Sequence, residues 1–261
     1  MSRITAAFAK QKKVFIPFVT AGDPDLDTTE QLIYAMEEAG AGIIELGIPF
    51  SDPIAEGPVI QEADLRALAG HTTVEDVFRL VEAVRQTSQI PLVFLTYLNP
   101  VYHYGAEAFF ARCEKAGLDG IIIPDMPLEE RDECAGAAKR HGVDIISMIA
   151  PTSHDRIADI ARVGEGFLYV VSSLGVTGTR DTINTDLKGI IDTVRSVTDV
   201  PAAVGFGINT PEQAEKIAAV ADGVIVGSAI VKLIAKYGTE AAGPIYDYVK
   251  AMKEAALRGG K

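Results

Sequence analysis

Short apolar runs alternate with amphipathic helical stretches along the whole chain, and this alternation limits the folds that the chain can adopt. Eight runs rich in β-branched residues begin at Val14, Gly42, Pro91, Gly120, Asp144, Phe167, Pro201 and Gly223. Most of them are continuously apolar, as parallel strands are when helices cover one face and a barrel interior covers the other. The pattern predicts an α/β protein with eight parallel strands, each followed by a helix.

Two architectures contain such repeated strand-helix units, a closed (β/α)8 barrel and a doubly wound open sheet. An open sheet normally has fewer strands, and no proline-rich or serine-rich linker interrupts the 261 residues. We therefore predict one TIM-barrel domain over residues 1–261, with an extra N-terminal helix and long active-site loops after strands 2 and 6. The doubly wound sheet is the structural alternative.

One helix start is marked clearly in the sequence. Thr210, Pro211 and Gln213 combine an N-cap residue, a proline at the first helical position and a capping-box partner. A side chain at each end of such a box satisfies a backbone N–H that the first helical turn leaves unpaired. We expect a helix to begin at Pro211.

The formal net charge of −12 excludes several classes of partner. Nucleic acids and anionic membranes select basic surfaces, so we expect neither as a partner. Cys113 and Cys134 are too few for a disulfide framework, and no cysteine or histidine spacing is typical of a metal site. The chain shows no signal peptide and no apolar run long enough to cross a membrane, so we expect a cytoplasmic protein.

Glu45 lies within the apolar run GIIELG, near the end of the second predicted strand. Burying a carboxylate is costly and raises its pKa, so a functional role is favoured over a place in the ordinary core. The loop that follows, from Gly47 to Pro58, is stiffened by three prolines and carries Asp52 and Glu56. Two carboxyl groups could thus face one pocket as acid and charge stabiliser. A solvated or ion-paired glutamate is the alternative.

Glycines follow the last two predicted strands. Gly205, Phe206 and Gly207 follow the seventh strand, while Gly227 and Ser228 open the helix after the eighth. Barrel enzymes often bind a phosphate here, on backbone N–H groups and a helix N-terminus, which attract an anion even in an acidic protein. The sequence therefore predicts a phosphate site, with simple turns as the alternative.

Five segments resemble the tryptophan synthase α subunit family in order and spacing. They are PFVTAGDP (Pro17 to Pro24), ELGIPFSDP (Glu45 to Pro53), GVTG (Gly175 to Gly178), GFGI (Gly205 to Ile208) and GSAIVK (Gly227 to Lys232). The resemblance covers nearly the whole chain. It implies a carbon-carbon lyase of tryptophan biosynthesis that cleaves indole-3-glycerol phosphate to indole and glyceraldehyde 3-phosphate by a retro-aldol reaction, without a metal.

The resemblance also implies roles for individual residues. It makes Glu45 the proton donor to indole C3 and places Glu56 where the family has an aspartate that binds the indole N–H. It adds Thr177 and Gly178, in the predicted lid from Ser172 to Asn184, to the substrate contacts. By the same alignment an apolar slot for indole is expected from Phe18, Leu95, Tyr97, Ile149, Tyr169 and Phe206.

The resemblance implies no cofactor in this chain and a β subunit that carries pyridoxal phosphate, in an α2β2 heterotetramer. Contact with β is expected at residues 49–52 and 124–127. Two other functions stay open: a non-catalytic α-like subunit that only activates β, and a stand-alone lyase that releases free indole. The presence of Glu45, Glu56 and the glycines disfavours the first, and the sequence does not separate the second from the leading hypothesis.

Overall fold

The protein is described by a computed structural model that covers residues 2–172 and 186–260. Nine strands in these ranges form one parallel sheet. The strands are β1 (Val14–Thr20), β2 (Ile44–Gly47), β3 (Leu92–Leu95), β4 (Gly120–Ile122), β5 (Asp144–Ile145), β6 (Ser147–Ile149), β7 (Leu168–Val171), β8 (Ala202–Gly205) and β9 (Gly223–Val226). Each of the eight predicted runs contains a strand.

Helices connect the strands and surround the sheet. The α-helices of the described ranges are α1 (Arg3–Lys10), α2 (Leu26–Glu38), α3 (Pro58–Ala69), α4 (Val74–Val84), α5 (Leu98–Tyr104), α6 (Ala106–Ala116), α7 (Asp132–Arg140), α8 (Ile157–Arg162), α9 (Leu187–Arg195), α10 (Pro211–Ala218), α11 (Ser228–Tyr237) and α12 (Ala242–Gly259). The first is the predicted N-terminal helix. Among the helices described, none is long and apolar enough to span a membrane.

The sheet closes on itself through the segment that contains β5 and β6. These strands are the two ends of the sheet order, yet only Ile146 separates them along the chain. The Ile146 N–H donates to the carbonyl of Ile121 at 2.8 Å, so the segment continues beside β4 while β6 pairs with β7. The fold is therefore the predicted (β/α)8 barrel, and the open-sheet alternative is wrong.

Two apolar layers lie on opposite faces of the strands. Ile44 and Leu46 pack in the layer between strands and helices, whereas Ile43 belongs to the cluster inside the barrel. Because successive side chains of a strand point to opposite faces, Glu45 points into the barrel interior. The strand thus directs a carboxyl group toward the axis on which the active-site loops converge.

The segment between β2 and α3, residues 48–57, forms the long loop predicted after the second strand, and we call it the acidic loop. Two helices, α3 and α4, follow it before β3 begins. The loop predicted after the sixth strand falls largely on residues 173–185, outside the described ranges.

The predicted helix start at Pro211 is confirmed by its capping contacts. The Thr210 hydroxyl accepts the backbone N–H of Gln213 at 3.3 Å, and the Gln213 side chain accepts the backbone N–H of Thr210 at 3.2 Å. Both bonds satisfy N–H groups that lack partners inside the helix. The chain leaving β8 is therefore turned sharply into α10.

Candidate active site

A pocket opens among the loops at the carboxyl ends of the strands, and two carboxyl groups line it. Glu45 comes from β2 and Glu56 from the end of the acidic loop, and the two residues are only 2% and 7% exposed. No basic side chain in the described ranges pairs with either, and Oε2 of each lacks a hydrogen-bond partner there. Buried polar atoms are normally hydrogen-bonded, so two unpartnered oxygens on one wall indicate a place for a ligand.

The protein environment gives the two carboxyl groups different pKa values. Burial, and then the charge of Glu56, raises the pKa of Glu45 to about 8. Burial raises the pKa of Glu56 to about 7, against the opposing effect of a hydrogen bond from Tyr97. At neutral pH Glu45 therefore holds a proton that it can donate, while Glu56 can carry a negative charge.

Tyr97, predicted in the apolar slot, lies behind the acidic loop and is only 2% exposed. Its hydroxyl accepts the Ala55 N–H at 2.9 Å and lies near enough to the Glu56 carboxyl group to lower the pKa of that group. Its ring stacks on Phe50, with centroids 5.2 Å apart and an interplanar angle of 29°. The structure thus places Tyr97 where it holds the end of the loop, rather than on the pocket wall.

Four of the predicted slot residues do line the pocket: Phe18, Leu95, Tyr169 and Phe206. The rings of Tyr169 and Phe206 meet edge to face, with centroids 6.0 Å apart. Aromatic edges and faces of this kind form a wall suited to a flat apolar ligand. The same pocket thus contains this wall and the two carboxyl groups.

Ile149, the remaining predicted slot residue, does not line the pocket. It is fully buried in the layer between strands and helices, while Met148 lines the pocket instead. Successive side chains of a strand point to opposite faces, so the side chains of Met148 and Ile149 lie in different layers: Met148 in the barrel interior and Ile149 in the outer layer. Ile146, two positions before Met148, is accordingly in the inner cluster.

The sequence interpretation missed six wall residues: Ala55, Ile60, Pro124, Met148, Ile208 and Ile225. Strand alternation gives a signal for two of them, because Met148 and Ile225 share an inward phase with other residues of the inner cluster. Pro124 comes from the loop after β4, where the sequence predicted only a contact with the β subunit, at residues 124–127. Such a residue becomes visible only when the loops are assembled in space.

The predicted phosphate residues Gly207, Gly227 and Ser228 also line the pocket. Gly227 is the N-cap residue of α11, so the start of this ten-residue helix faces the cavity. The first N–H groups of a helix have no partner within it and favour an anion. The pocket therefore combines an apolar wall, two carboxyl groups and an anion-binding end.

The backbone turns sharply where β8 ends. Phe206 and Gly207 both have φ of 75°, in the left-handed region. The turn is held by Ser172, whose N–H donates to the Gly205 carbonyl at 3.0 Å and whose hydroxyl donates to the Phe206 carbonyl. This conformation costs energy for a residue with a side chain, so the surrounding contacts must impose it on Phe206.

Gly205 lies below the pocket wall, under the Tyr169 ring. A Cβ atom at this position would lie 2.5 Å from the Tyr169 hydroxyl oxygen, so only glycine lets the ring come so close. Thr177 and Gly178, the remaining predicted contacts, lie outside the described residues. Within the part of the chain that is described, no group of three or more potential metal-ligating side chains is assembled.

Comparisons with known proteins agree along the length of the chain. A model of the family described as tryptophan synthase alpha chain matches residues 4–256. The tryptophan synthase alpha chain of Lacticaseibacillus casei is 51% identical over 255 residues, which cover 98% of this chain and 96% of that one. The alpha chain of Citrifermentans bemidjiense is 46% identical and covers the whole of both chains.

Solved structures show the same similarity. The tryptophan synthase alpha subunit of Legionella pneumophila superposes with a TM-score of 0.89 at 35% identity, covering 98% of this chain and 99% of that chain. A chain of the tryptophan synthase α2β2 complex from Pyrococcus furiosus superposes with a TM-score of 0.85 at 37% identity, covering 92% and 97%. Similarity in sequence and in backbone thus extends through every strand that builds the pocket.

Proposed function

The chain belongs to the tryptophan synthase alpha chain family, and we propose that Glu45 and Glu56 perform the family's lyase reaction in the pocket described above. The reaction is the cleavage of indole-3-glycerol phosphate to indole and glyceraldehyde 3-phosphate, a step of tryptophan biosynthesis. The observation that carries the proposal is the pair of buried carboxyl groups with unpartnered oxygens on one wall. The alpha chain needs no cofactor of its own, because pyridoxal phosphate is carried by the beta subunit.

Glu45 acts first as an acid and then as a base. Its carboxyl group donates a proton to indole C3, which makes the ring a cation able to accept the electrons of the adjacent carbon-carbon bond. The resulting carboxylate takes the proton of the neighbouring hydroxyl while that bond breaks and the aldehyde forms. Glu45 is thereby returned to its protonated state, and its raised pKa of about 8 keeps the proton available at neutral pH.

Glu56 balances the positive charge on the ring. As a carboxylate it accepts the indole N–H, and the low exposure of the site strengthens this interaction. Two neighbours support its place in the loop: the Gln61 side chain donates to its backbone carbonyl at 2.8 Å, and the Tyr97 hydroxyl lowers the pKa of its carboxyl group. These contacts support glutamate here, although its side chain is one methylene longer than the aspartate implied by the resemblance.

Asp52 is less suited to that role. Its side chain is exposed and accepts a hydrogen bond from the Ser51 hydroxyl at 2.6 Å. It lies in the exposed part of the acidic loop, whereas Glu56 lies on the pocket wall. We therefore assign the charge-balancing role to Glu56.

The two ends of the substrate fit the two ends of the pocket. The indole ring is assigned to the wall of Phe18, Leu95 and Tyr169, and the phosphate to Gly207 and to the N-terminus of α11. Backbone N–H groups at a helix start bind a phosphate even in a chain with a net charge of −12.

A beta subunit is the partner of this family, and we propose the α2β2 assembly for this chain as well. The related complex from Pyrococcus furiosus is described as an α2β2 complex whose subunits activate each other. Residues 49–52 and 124–127, the proposed contacts, belong to loops that meet at the pocket, where Ala55 and Pro124 share the wall. The biosynthetic role of the relatives supports a place in the cytoplasm.

The proposed function is tested by mixing the purified protein with indole-3-glycerol phosphate, with and without a beta subunit, and measuring the indole formed. We expect indole in both mixtures and a higher rate with beta. Indole at an unchanged rate supports the stand-alone lyase. No indole in either mixture, from a protein that still binds beta, supports the non-catalytic subunit and overturns the proposal.

A further inference from the structure

A third carboxyl group is buried near the pocket, and the reaction described above gives it no role. Asp64 lies on α3, one turn after the pocket residue Ile60, and is only 4% exposed. Residues four apart share a helix face, so Asp64 faces the same side as Ile60. No basic side chain in the described ranges pairs with it. Arg66, two residues further along α3, binds Asp23 through hydrogen bonds of 2.7 and 2.8 Å.

The contacts of Asp64 join three parts of the molecule. The backbone N–H of Phe50, at the start of the acidic loop, lowers the pKa of its carboxyl group, and the hydroxyl of Thr20, at the end of β1, donates to it at 3.5 Å. Burial, and then the charge of Glu56, raises the pKa of Asp64 to about 8. At neutral pH the group is therefore largely uncharged and serves as a hydrogen-bonding acid.

The acidic loop is held at both ends. At its start, the Phe50 N–H lies near enough to Asp64 to lower the pKa of its carboxyl group, and the Phe50 ring stacks on Tyr97. At its end, the Tyr97 hydroxyl binds the Ala55 N–H and the Glu56 carboxylate. The middle of the loop, from Ser51 to Ile54, is exposed or half-exposed. The placing of Glu56 thus depends on a few contacts at the two ends.

We propose that Asp64 is a positioning residue for the cleavage reaction assigned above, on which this inference rests. Its carboxyl oxygen fixes the start of the acidic loop by accepting the Phe50 N–H, and this keeps the loop closed against Tyr97 and Glu56 directed at the indole N–H. A displacement of about 1 Å at a reacting group lowers a rate by about a hundredfold, so a loop held at one end only is a poorer catalyst. Asp64 itself touches neither indole nor the glycerol phosphate in this arrangement.

Two variants of the full chain separate this role from simple packing. Asp64→Asn keeps an oxygen for the Phe50 N–H and imitates the uncharged acid, whereas Asp64→Ala removes the acceptor. We expect Asp64→Asn to keep kcat within about threefold of the parent and Asp64→Ala to lower it by about tenfold or more, with KM changed by less than about threefold. The indole wall and the phosphate site, which dominate substrate binding, are untouched by either change.

Arg66→Gln is the matched control, because it cuts the other polar tether of α3 without touching the acidic loop. We expect it to lower Tm while kcat stays at the parent value. This result shows that weakening the attachment of α3 does not by itself slow the reaction. A loss of kcat in Arg66→Gln equal to that in Asp64→Ala overturns the positioning role, since the effect would then belong to the helix and not to the loop.

The outcomes also separate this inference from the proposed function. A parent protein that forms no indole overturns both. With an active parent, a parent-like kcat in Asp64→Ala, or a loss in Asp64→Asn as large as in Asp64→Ala, overturns the positioning role alone. If Asp64→Ala does not fold, Asp64→Asn still decides: retained kcat supports the role of the acceptor oxygen, and a tenfold loss overturns it.

Discussion

Phe18 and Glu45 stand side by side as register partners of β1 and β2, on the wall of the same pocket. The pairing places an aromatic side chain, only 5% exposed, next to the carboxyl group that we propose as the acid. An apolar neighbour offers no hydrogen bond to the carboxylate form, so the proton is retained. The sheet register therefore contributes directly to the chemistry of Glu45.

Replacing Glu45 with glutamine should abolish cleavage and leave binding of substrate nearly unchanged. The amide is close to the carboxyl group in shape but cannot transfer the proton to and from C3. We expect a loss of at least about 10³-fold in kcat, within the range of general acid-base catalysis. Single-turnover measurement of indole release, with binding measured by calorimetry, checks this, and near-normal turnover would show that another group is the acid.

The same substitution should stabilise the protein at alkaline pH. The pKa of Glu45 is about 8 in the folded protein and near 4.5 in an unfolded chain, so between these values only the folded state keeps the proton. Unfolding then releases a proton, and the parent loses stability as pH rises through this window. At pH 8.5 we expect the free energy of unfolding of Glu45→Gln to exceed that of the parent by at least about 1 kcal/mol, which raises Tm by about 2–4 °C or more. At pH 5 the difference in Tm should be smaller. An equal difference at both pH values would contradict the raised pKa.

Replacing Tyr97 with phenylalanine should move the acid limb of the pH–rate profile to higher pH. The hydrogen bond from Tyr97 opposes the rise in the pKa of Glu56, which is about 7, and its removal lets that pKa rise further. Glu56 must be ionised to balance the indole cation, so activity should appear only at higher pH. Profiles of kcat for parent and variant test this, with Tyr237→Phe, a partly exposed tyrosine distant in sequence, as control. If the acid limb stays at the same pH in the variant, Tyr97 does not influence the pKa of Glu56.

Replacing Gly227 with valine should weaken the binding of phosphate-bearing ligands much more than the binding of indole. A Cβ atom here would lie 3.4 Å from the Phe18 side chain, in van der Waals contact with it, and the two methyl groups of valine need further space at the start of α11. We expect about tenfold or more weaker binding of glyceraldehyde 3-phosphate, because the phosphate loses access to the N–H groups of the helix. Calorimetry with both ligands decides the matter: similar losses for phosphate and for indole would mean that the whole pocket is disturbed.

The strands could be predicted from the sequence because a barrel strand is covered on both faces and so forms an uninterrupted apolar run. Glu45 was recognisable for the same reason, as a charged residue in such a run. The face of the strand to which each side chain points was harder to predict. Ile149 and Met148 are both apolar, and only the assembled strand shows that Met148 faces the pocket.

The role of Tyr97 and the position of Asp64 were not predictable from local patterns. Each depends on a contact between the acidic loop and a residue far along the chain. Ala55 contacts Tyr97, 42 positions away, at 2.9 Å, and Phe50 lies near Asp64, 14 positions away. Helical periodicity can place Asp64 on one face with Ile60, but it does not indicate that this face borders the active site. Contacts of this kind are set by tertiary packing, which a propensity or a motif does not encode.

The left-handed turn at Phe206 and Gly207 brings two parts of the proposed substrate site onto adjacent residues. Phe206 contributes its ring to the aromatic side of the wall, and the next residue lies at the end assigned to the phosphate. One planar peptide unit of fixed dimensions therefore joins a residue of the aromatic wall to a residue proposed to contact the phosphate. In the proposed function, a change in this turn should alter both contacts together.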